Sequence, residues 1–267
     1  MKVFVAGGTG ALGKFLLPLL VKNGHDVVAL VRTAQKGKTV EALGAKPVIA
    51  DALHKEELTQ AVVQTGPEAI IHQLTSIPGA VDFKTFDEQF ALTNRLRTEV
   101  TDTLLAAARR VGTRRFIAQS FCGWPFARQG GPVKSEEDAL DPEPPANFQR
   151  TLTAIRYLED AVQRSADVPA LALRYGFFYG PGTSIARDGS VVELVRRRRL
   201  PIVGSGGGIW SFCHIEDAAR ATVAALSQGP AGIYNVVDDE PAPVSTWLPT
   251  LARAVGFAGA AAMERPH

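Results

Sequence analysis

Val3 to Leu20 reads VFVAGGTGALGKFLLPLL, and the order of these residues decides the fold. A short apolar run of strand length enters a glycine-rich turn, and an apolar helical pattern begins as soon as the turn ends. Gly7, Gly10 and Gly13 each have a task there. One makes the tight bend, one lets backbone amides approach a pyrophosphate with no Cβ in the way, and one lets the helix pack close to the strand. Thr9, Ala11 and Leu12 complete the same phosphate cradle. The turn therefore predicts a bound dinucleotide, with an ordinary glycine-rich turn as the plainer alternative.

Outward from this turn, short apolar runs alternate with longer helical patterns. KVFVA is followed by Leu12 to Asn23, DVVALV by a loop, AKPVIA by Lys55 to Thr65, AIIHQL by Thr85 to Val111, and RRFIAQS by Gln149 to Ser165, before ALALRY. This repetition predicts an α/β fold, a doubly wound parallel sheet of Rossmann type with right-handed crossovers. After Tyr175 the rhythm breaks at GFFYGPGTS and GSGGG. We expect residues 1–175 to form the dinucleotide-binding domain, with about 213–240 returning to it, and 176–212 and 241–267 to form a smaller substrate-binding part. Glu137 to Asn147, EDALDPEPPAN, reads as an exposed loop.

Composition narrows the partners. The 267 residues are 46% hydrophobic, enough for a sizeable core, and 29 Lys and Arg against 27 Asp and Glu leave a net charge of +2. So weak a field predicts neither nucleic acid nor an anionic membrane as a partner. Arg196 to Arg199 read as the solvated end of a helix, with a substrate phosphate as the alternative. Cys122 and Cys213 make no disulfide framework and lack metal-ligand spacing, so no metal is expected, and a reducing cytoplasm is the expected location. The opening MKVFVAGG is too brief for a secretory signal, and no apolar run has membrane-spanning length.

The second strand ends VVALVRT, where an NAD enzyme usually places an acidic residue against the ribose hydroxyls. Arg32 stands there instead, with Lys36 and Lys38 close behind. A guanidinium pairs bidentately with a 2′-phosphate, so NADP is the expected cofactor and NAD the alternative.

The Gly-x-x-Gly-x-x-Gly spacing, with several later segments in order, resembles the short-chain dehydrogenase/reductase superfamily in its extended or atypical branch, the NAD-dependent epimerase/dehydratase family. The resemblance covers nearly the whole chain. It implies adenine contacts for Asp51 and Ala52 in VIADAL, a lining beneath the cofactor from Gln73, Leu74 and Thr75 in AIIHQLTS, and a helix asparagine at Asn94. LRYGFFYGPG resembles the family segment Leu-Arg-x-x-Asn-x-Tyr-Gly-Pro-Gly and adds Tyr175 to the cofactor set, while WSFCHIEDAARA resembles its later His-Val-x-Asp motif at His214 and Asp217. The implied activity is that of an oxidoreductase, epimerase or dehydratase acting on a small carbonyl or alcohol.

The same resemblance implies a Ser or Thr after the fifth strand and a Tyr-x-x-x-Lys pair on the next helix, the tyrosine as acid or base and the lysine lowering its pKa while holding the nicotinamide ribose. Aligning Glu159 with the acidic residue one turn after that lysine puts Ile155 at the lysine position and Thr151 at the tyrosine position. In AQSFCGW, Ser120 is kept but Phe121 stands at the catalytic hydroxyl, and Phe177 falls where the family has Asn beside the nicotinamide. The helix is retained and the couple is absent.

The remaining catalytic candidates are Ser120, Thr151 and Tyr179. Thr151 needs a neighbouring base, and the sequence offers none. Tyr179 or Tyr175 as an acid needs a partner that lowers its pKa, for which Arg174 and Arg187 are the expected choices. Tyr157, two positions from Ile155, is turned roughly 200° away and reads as packing. His214 reads as a cap before a helix, and Cys122 as a small residue in a buried turn. Trp124, Phe126, Phe177, Phe178 and Trp210 form an aromatic set at the expected pocket mouth, suited to a hydrophobic or aromatic small-molecule substrate. Two other classes stand beside the enzyme: a silent NADP(H)-binding sensor or interaction protein, and a lyase or isomerase with a structural nucleotide. The tail FAGAAAMERPH is shorter than the family's usual C-terminal segment, so the cavity is expected to be open, small or completed by a second subunit in a homodimer.

Overall fold

The computed structural model of the protein describes residues 1–79 and 81–256. The last residues of the expected substrate-binding part, 257–267, lie outside the described residues. Strands and helices alternate from the start: β1 (Lys2–Ala6), α1 (Gly13–Lys22), β2 (Asp26–Val31), α2 (Ala34–Glu41), β3 (Lys46–Ile49), α3 (Lys55–Thr65) and β4 (Ala69–His72). Two short helices, α4 (Phe86–Gln89) and α5 (Ala91–Arg95), run through a wide π turn at Leu96–Val100 into α6 (Thr101–Val111). Then come β5 (Arg115–Phe121), α7 (Gln149–Gln163), β6 (Ala170–Tyr175), β7 (Phe177–Tyr179), α8 (Ser190–Arg196), β8 (Ile209–Trp210), β9 (Phe212–His214), α9 (Ile215–Ala224), β10 (Gly232–Val236), β11 (Ala242–Pro243) and α10 (Val244–Ala254).

Seven strands form one parallel sheet in the order β3-β2-β1-β4-β5-β6-β10. The doubly wound α/β fold is therefore the one the alternating pattern predicts. Because successive strand residues point to opposite faces, β1 serves two cores. Val3 and Val5 pack with Leu16, Leu17 and Leu20 of α1 and Ile215 of α9. Phe4 and Ala6 pack with Leu58 of α3, Leu104 of α6 and Leu158 of α7. Full burial on both faces explains why these strands read as continuous apolar runs.

Two local readings are corrected. The span after β2, read as a loop, is helix α2. Thr33 caps it by accepting the Lys36 amide at 3.3 Å, and its buried Gly37 lies over Pro47 of β3. The single helix expected over Thr85 to Val111 is instead broken at Phe90 and widened at the π turn. The broken stretch carries Asp87, Asn94 and Arg97, all directed inward.

Beyond β6, β7 pairs with β9, β8 pairs with β11, and α8 packs on α10. Arg196 ends α8 as expected, and it and Arg197 pair with Glu193. No helix among the described residues is long and apolar enough to cross a membrane, and no group of three His, Cys, Asp or Glu among them could hold a metal ion.

Candidate active site

The glycine turn lies at the C-terminal edge of the sheet, between β1 and α1. Gly7 has φ +108°, and a Cβ there would come within 2.6 Å of the Gln73 carbonyl. A Cβ on Gly13 would come within 2.3 Å of the Gly8 oxygen. Side chains are thus excluded from the turn by backbone on both sides. Gly10 donates to the Gly7 carbonyl at 3.1 Å, and Lys14 donates to Gly10 at 3.2 Å. The Lys14, Phe15 and Leu16 amides of α1 are taken by Gly10 and Leu12, so the cradle a pyrophosphate would fill is formed by the turn amides ahead of them. These residues fit the group that the sequence predicts.

Most of the other expected cofactor residues lie at the same edge of the sheet, at or just after the ends of β2, β3, β4 and β6. Arg32 follows β2 directly and is exposed, as are Lys36 and Lys38. Asp51 accepts the Leu53 amide at 2.9 Å, which fixes the loop after β3, and Ala52 is buried beside it. Gln73 is buried at the end of β4, while Leu74 and Thr75 are half-buried. Tyr175 is 1% exposed and its hydroxyl lies 2.6 Å from Thr222, so it forms part of the floor under Gln73. Asn94 donates to the Thr151 hydroxyl at 3.2 Å, and its own carbonyl oxygen is buried without a partner.

The structure gives the hydrogens of Ser120 and Thr151 to carboxylates and sets a third carboxylate near Tyr179. Ser120 donates to Glu159 at 2.6 Å, and Glu159 in turn receives Arg174 through two bonds of 2.7 Å. Both members of that ion pair are 4% exposed at the side chain. Thr151 donates to Asp87 at 2.7 Å, and the same carboxylate accepts the Thr151 and Arg150 amides at 2.8 Å. The neighbouring base that the sequence did not offer is therefore Asp87, brought from α4. Tyr179 stands apart on β7, its ring 5.0 Å from that of His214. Burial and a hydrogen bond to Asp238 raise its pKa. Of the expected activating partners, Arg174 is occupied by Glu159 and Arg187 is exposed, and the charge that acts most on this phenol is the Asp238 carboxylate, which holds its proton on.

His214 caps α9, its Nδ1 accepting the Glu216 amide at 3.4 Å. Burial pushes the Cys122 thiol up to about 12, which keeps it unreactive. Tyr157 is exposed and bonds Asp102 at 2.5 Å, so it joins α7 to α6 at the surface and is not packed in the core.

The aromatic set is larger than expected and differently divided. Phe86 and Phe148 lie 4.4 Å apart, Phe148 meets Trp124 at 5.1 Å, Phe121 meets Phe177 at 5.1 Å, and Phe177 stacks on Trp210 at 3.9 Å. Trp247 continues the row at 4.9 Å from Trp210. Phe178 turns away to pack on Tyr175, and Phe126 lies under the Arg174 guanidinium at 5.3 Å. Sequence reading missed Asp87, Asp238, Phe86, Phe148 and Trp247, each of which reaches its partners only through the tertiary fold.

The chain is similar to several known proteins. A protein named 3-diazoavenalumate denitrifying reductase, from a Streptomyces species, is 43% identical over 261 residues, covering 96% of this chain and 82% of that protein. A ketoreductase of 4-hydroxy-2-methyl-3-oxo-4-farnesyl-3,4-dihydroquinoline-1-oxide from Stigmatella aurantiaca is 29% identical over 263 residues, covering 96% and 74%. The fold is shared with the UDP-glucose 4-epimerase of Thermus thermophilus in complex with NAD, at a TM-score of 0.74 and 24% identity, covering 97% of this chain and 84% of that one. The family model described as NAD dependent epimerase/dehydratase family matches residues 3–236. Homologues of this kind are nicotinamide-dependent reductases, epimerases and dehydratases of small molecules, and the chain belongs to the NAD dependent epimerase/dehydratase family.

Proposed function

We propose that the protein is an NADPH-dependent reductase that replaces the diazo group of an aromatic substrate by hydrogen and releases dinitrogen. One observation carries this reading. Each hydroxyl expected to supply a proton, on Ser120, Thr151 and Tyr179, faces a carboxylate: Glu159, Asp87 and Asp238. A hydroxyl whose hydrogen is given to a carboxylate is a poor acid toward substrate. Reduction of a ketone needs a proton on oxygen as well as a hydride. Denitrifying reduction of a diazonium carbon does not.

When bound, the nicotinamide supplies a hydride with its electron pair; a C–H bond forms at the ring carbon, the C–N bond breaks, and dinitrogen leaves with that bond's electrons. No proton enters or leaves this balance. Gly7, Gly10 and Gly13 would hold the pyrophosphate, and Arg32 with Lys36 and Lys38 the 2′-phosphate. The row of rings from Phe86 to Trp247 suits a flat aromatic substrate, held by stacking. The diazo substrate named for the Streptomyces relative supports the same chemistry.

The test uses NADPH labelled with deuterium at the transferring position and a phenolic aryl diazonium carboxylate. Label in the new aromatic C–H bond, dinitrogen release and no incorporation from heavy water are expected. Solvent deuterium at that carbon, or turnover of ketones but not of diazonium, would overturn the proposal. Tight nucleotide binding without turnover of either would favour the sensor.

A further inference from the structure

Arg97 is a buried cation without a hydrogen-bond partner. The residue is 6% exposed, and its Nε and Nη1 find no acceptor. Burial lowers its pKa to about 10, and Glu159 is the carboxylate whose charge it feels. Glu159 accepts Ser120 and Arg174 Nε at Oε1 and Arg174 Nη2 at Oε2, and none of these bonds comes from Arg97. Arg174 thus holds this carboxylate directly, and Arg97 feels its charge without a bond to it. The neighbouring His72 supplies no negative charge, as burial brings its pKa down to about 4 and leaves it neutral. An unsatisfied buried donor typically costs about 1–3 kcal/mol, more for a charged group, so a retained one points to a ligand that satisfies it.

The placement identifies that ligand. Arg97 lies on the π turn, which packs against α7, and it follows Asn94 by three residues, so the two share a helix face. Helical side chains lean toward the N-terminus of their own segment, which aims Arg97 back toward Asn94. Asn94 meets Thr151, and its carbonyl oxygen is itself buried without a partner. Gln73 Oε1, at the end of β4, is a third orphan. A donor and two acceptors are thus left unpartnered on the π turn, on α5 and just after β4. On α7 the next turn offers only Ile155, 1% exposed.

We propose that Arg97 holds the ribose beside the nicotinamide, its guanidinium donating to the sugar hydroxyls from the π turn. The cation comes from the helix that precedes β5, and α7 contributes none. This inference rests on the family's cofactor and is independent of the diazo substrate.

Calorimetric titration tests it, with NADPH and NADH and with the matching adenine halves, adenosine 2′,5′-bisphosphate and AMP. Arg97→Met should weaken the reduced dinucleotide about tenfold or more and leave the adenine half within about twofold of the parent protein. Arg97→Lys, which keeps the charge, should fall between. The ligand-free Arg97→Met protein should melt at or above the temperature of the parent, because an unpartnered buried charge has been removed. Equal weakening of both ligands, unchanged dinucleotide affinity, or a lower melting temperature would each overturn the proposal and leave Arg97 a structural residue. Failure of the parent protein to bind either dinucleotide would instead strike the cofactor reading itself.

Discussion

Asp87 accepts the Thr151 hydroxyl at 2.7 Å from a position 64 residues earlier in the chain, and so caps α7 from another helix. Phe148, at the N-cap position of α7, makes no side-chain cap bond. The first amides of α7 would otherwise be left in a buried place.

Removal of this cap should therefore loosen α7 as a whole. Asp87→Ala leaves two amides and a buried hydroxyl without acceptors and should lower stability by about 1–3 kcal/mol in urea unfolding. Asp87→Asn, which keeps one acceptor oxygen, should lose less. A loss within a few tenths of a kcal/mol for Asp87→Ala would show that water replaces the cap.

The pair of Glu159 and Arg174 makes a second prediction. Arg174→Met strands a buried carboxylate beside Ser120 and should cost about 3–5 kcal/mol. Adding Glu159→Met should recover much of that loss, because the charge left behind is then gone as well. Equal stability of the single and double variants would contradict the coupling, and a double-mutant cycle measures it directly.

His72 predicts a dependence of stability on acidity. Burial, with a smaller push from the Arg97 charge, lowers its pKa from the ordinary 6.5 to about 4, against the opposing bond to the Leu96 carbonyl. The unfolded chain therefore binds a proton that the folded one refuses between those values. The stabilisation is complete above pH 6.5 and is lost as pH falls toward 4. The full effect is of order 3 kcal/mol, so His72→Gln should flatten the difference between unfolding at pH 7 and at about pH 4.5. A parallel shift of both proteins across that window would count against a neutral buried imidazole.

Arg32 is the residue we propose to set the choice between the two dinucleotides. Its exposed position after β2, with Lys36 and Lys38 on the following helix, leaves three cations for a 2′-phosphate. Arg32→Asp should weaken NADPH more than NADH, by about tenfold in the ratio of their dissociation constants. Equal effects would defeat the preference for NADPH.

The sheet was legible in the sequence because its strands are buried on both faces and its helices on one, which leaves runs of Val, Ile and Ala between amphipathic stretches. The glycine turn was legible because each Cβ it excludes would strike backbone. Arg97 was not legible. In NRLRTE two arginines stand two residues apart, and their spacing does not tell one from the other. Arg95 is solvated and pairs with Glu99 at 2.8 Å, while the π turn carries Arg97 inside. A widened turn leaves no trace in hydrophobic spacing over so short a span. Asp87 was hidden for another reason: its partner is close only after the chain has folded, and FDEQ by itself is an ordinary acidic first turn.

The floor beneath Gln73 has a direction. Thr222 gives its hydrogen to the Ala218 carbonyl at 2.6 Å, which obliges Tyr175 to donate to Thr222, and Tyr175 must then receive the Gln73 side-chain nitrogen at 3.4 Å. One hydrogen of the Gln73 amide is in this way held through α9, about 150 residues further along the chain, which sets the side on which its unpartnered oxygen lies. Replacing the buried Thr222 by valine would free this amide to rotate, and a helix on the far side of the sheet edge would have changed the polarity at the end of β4.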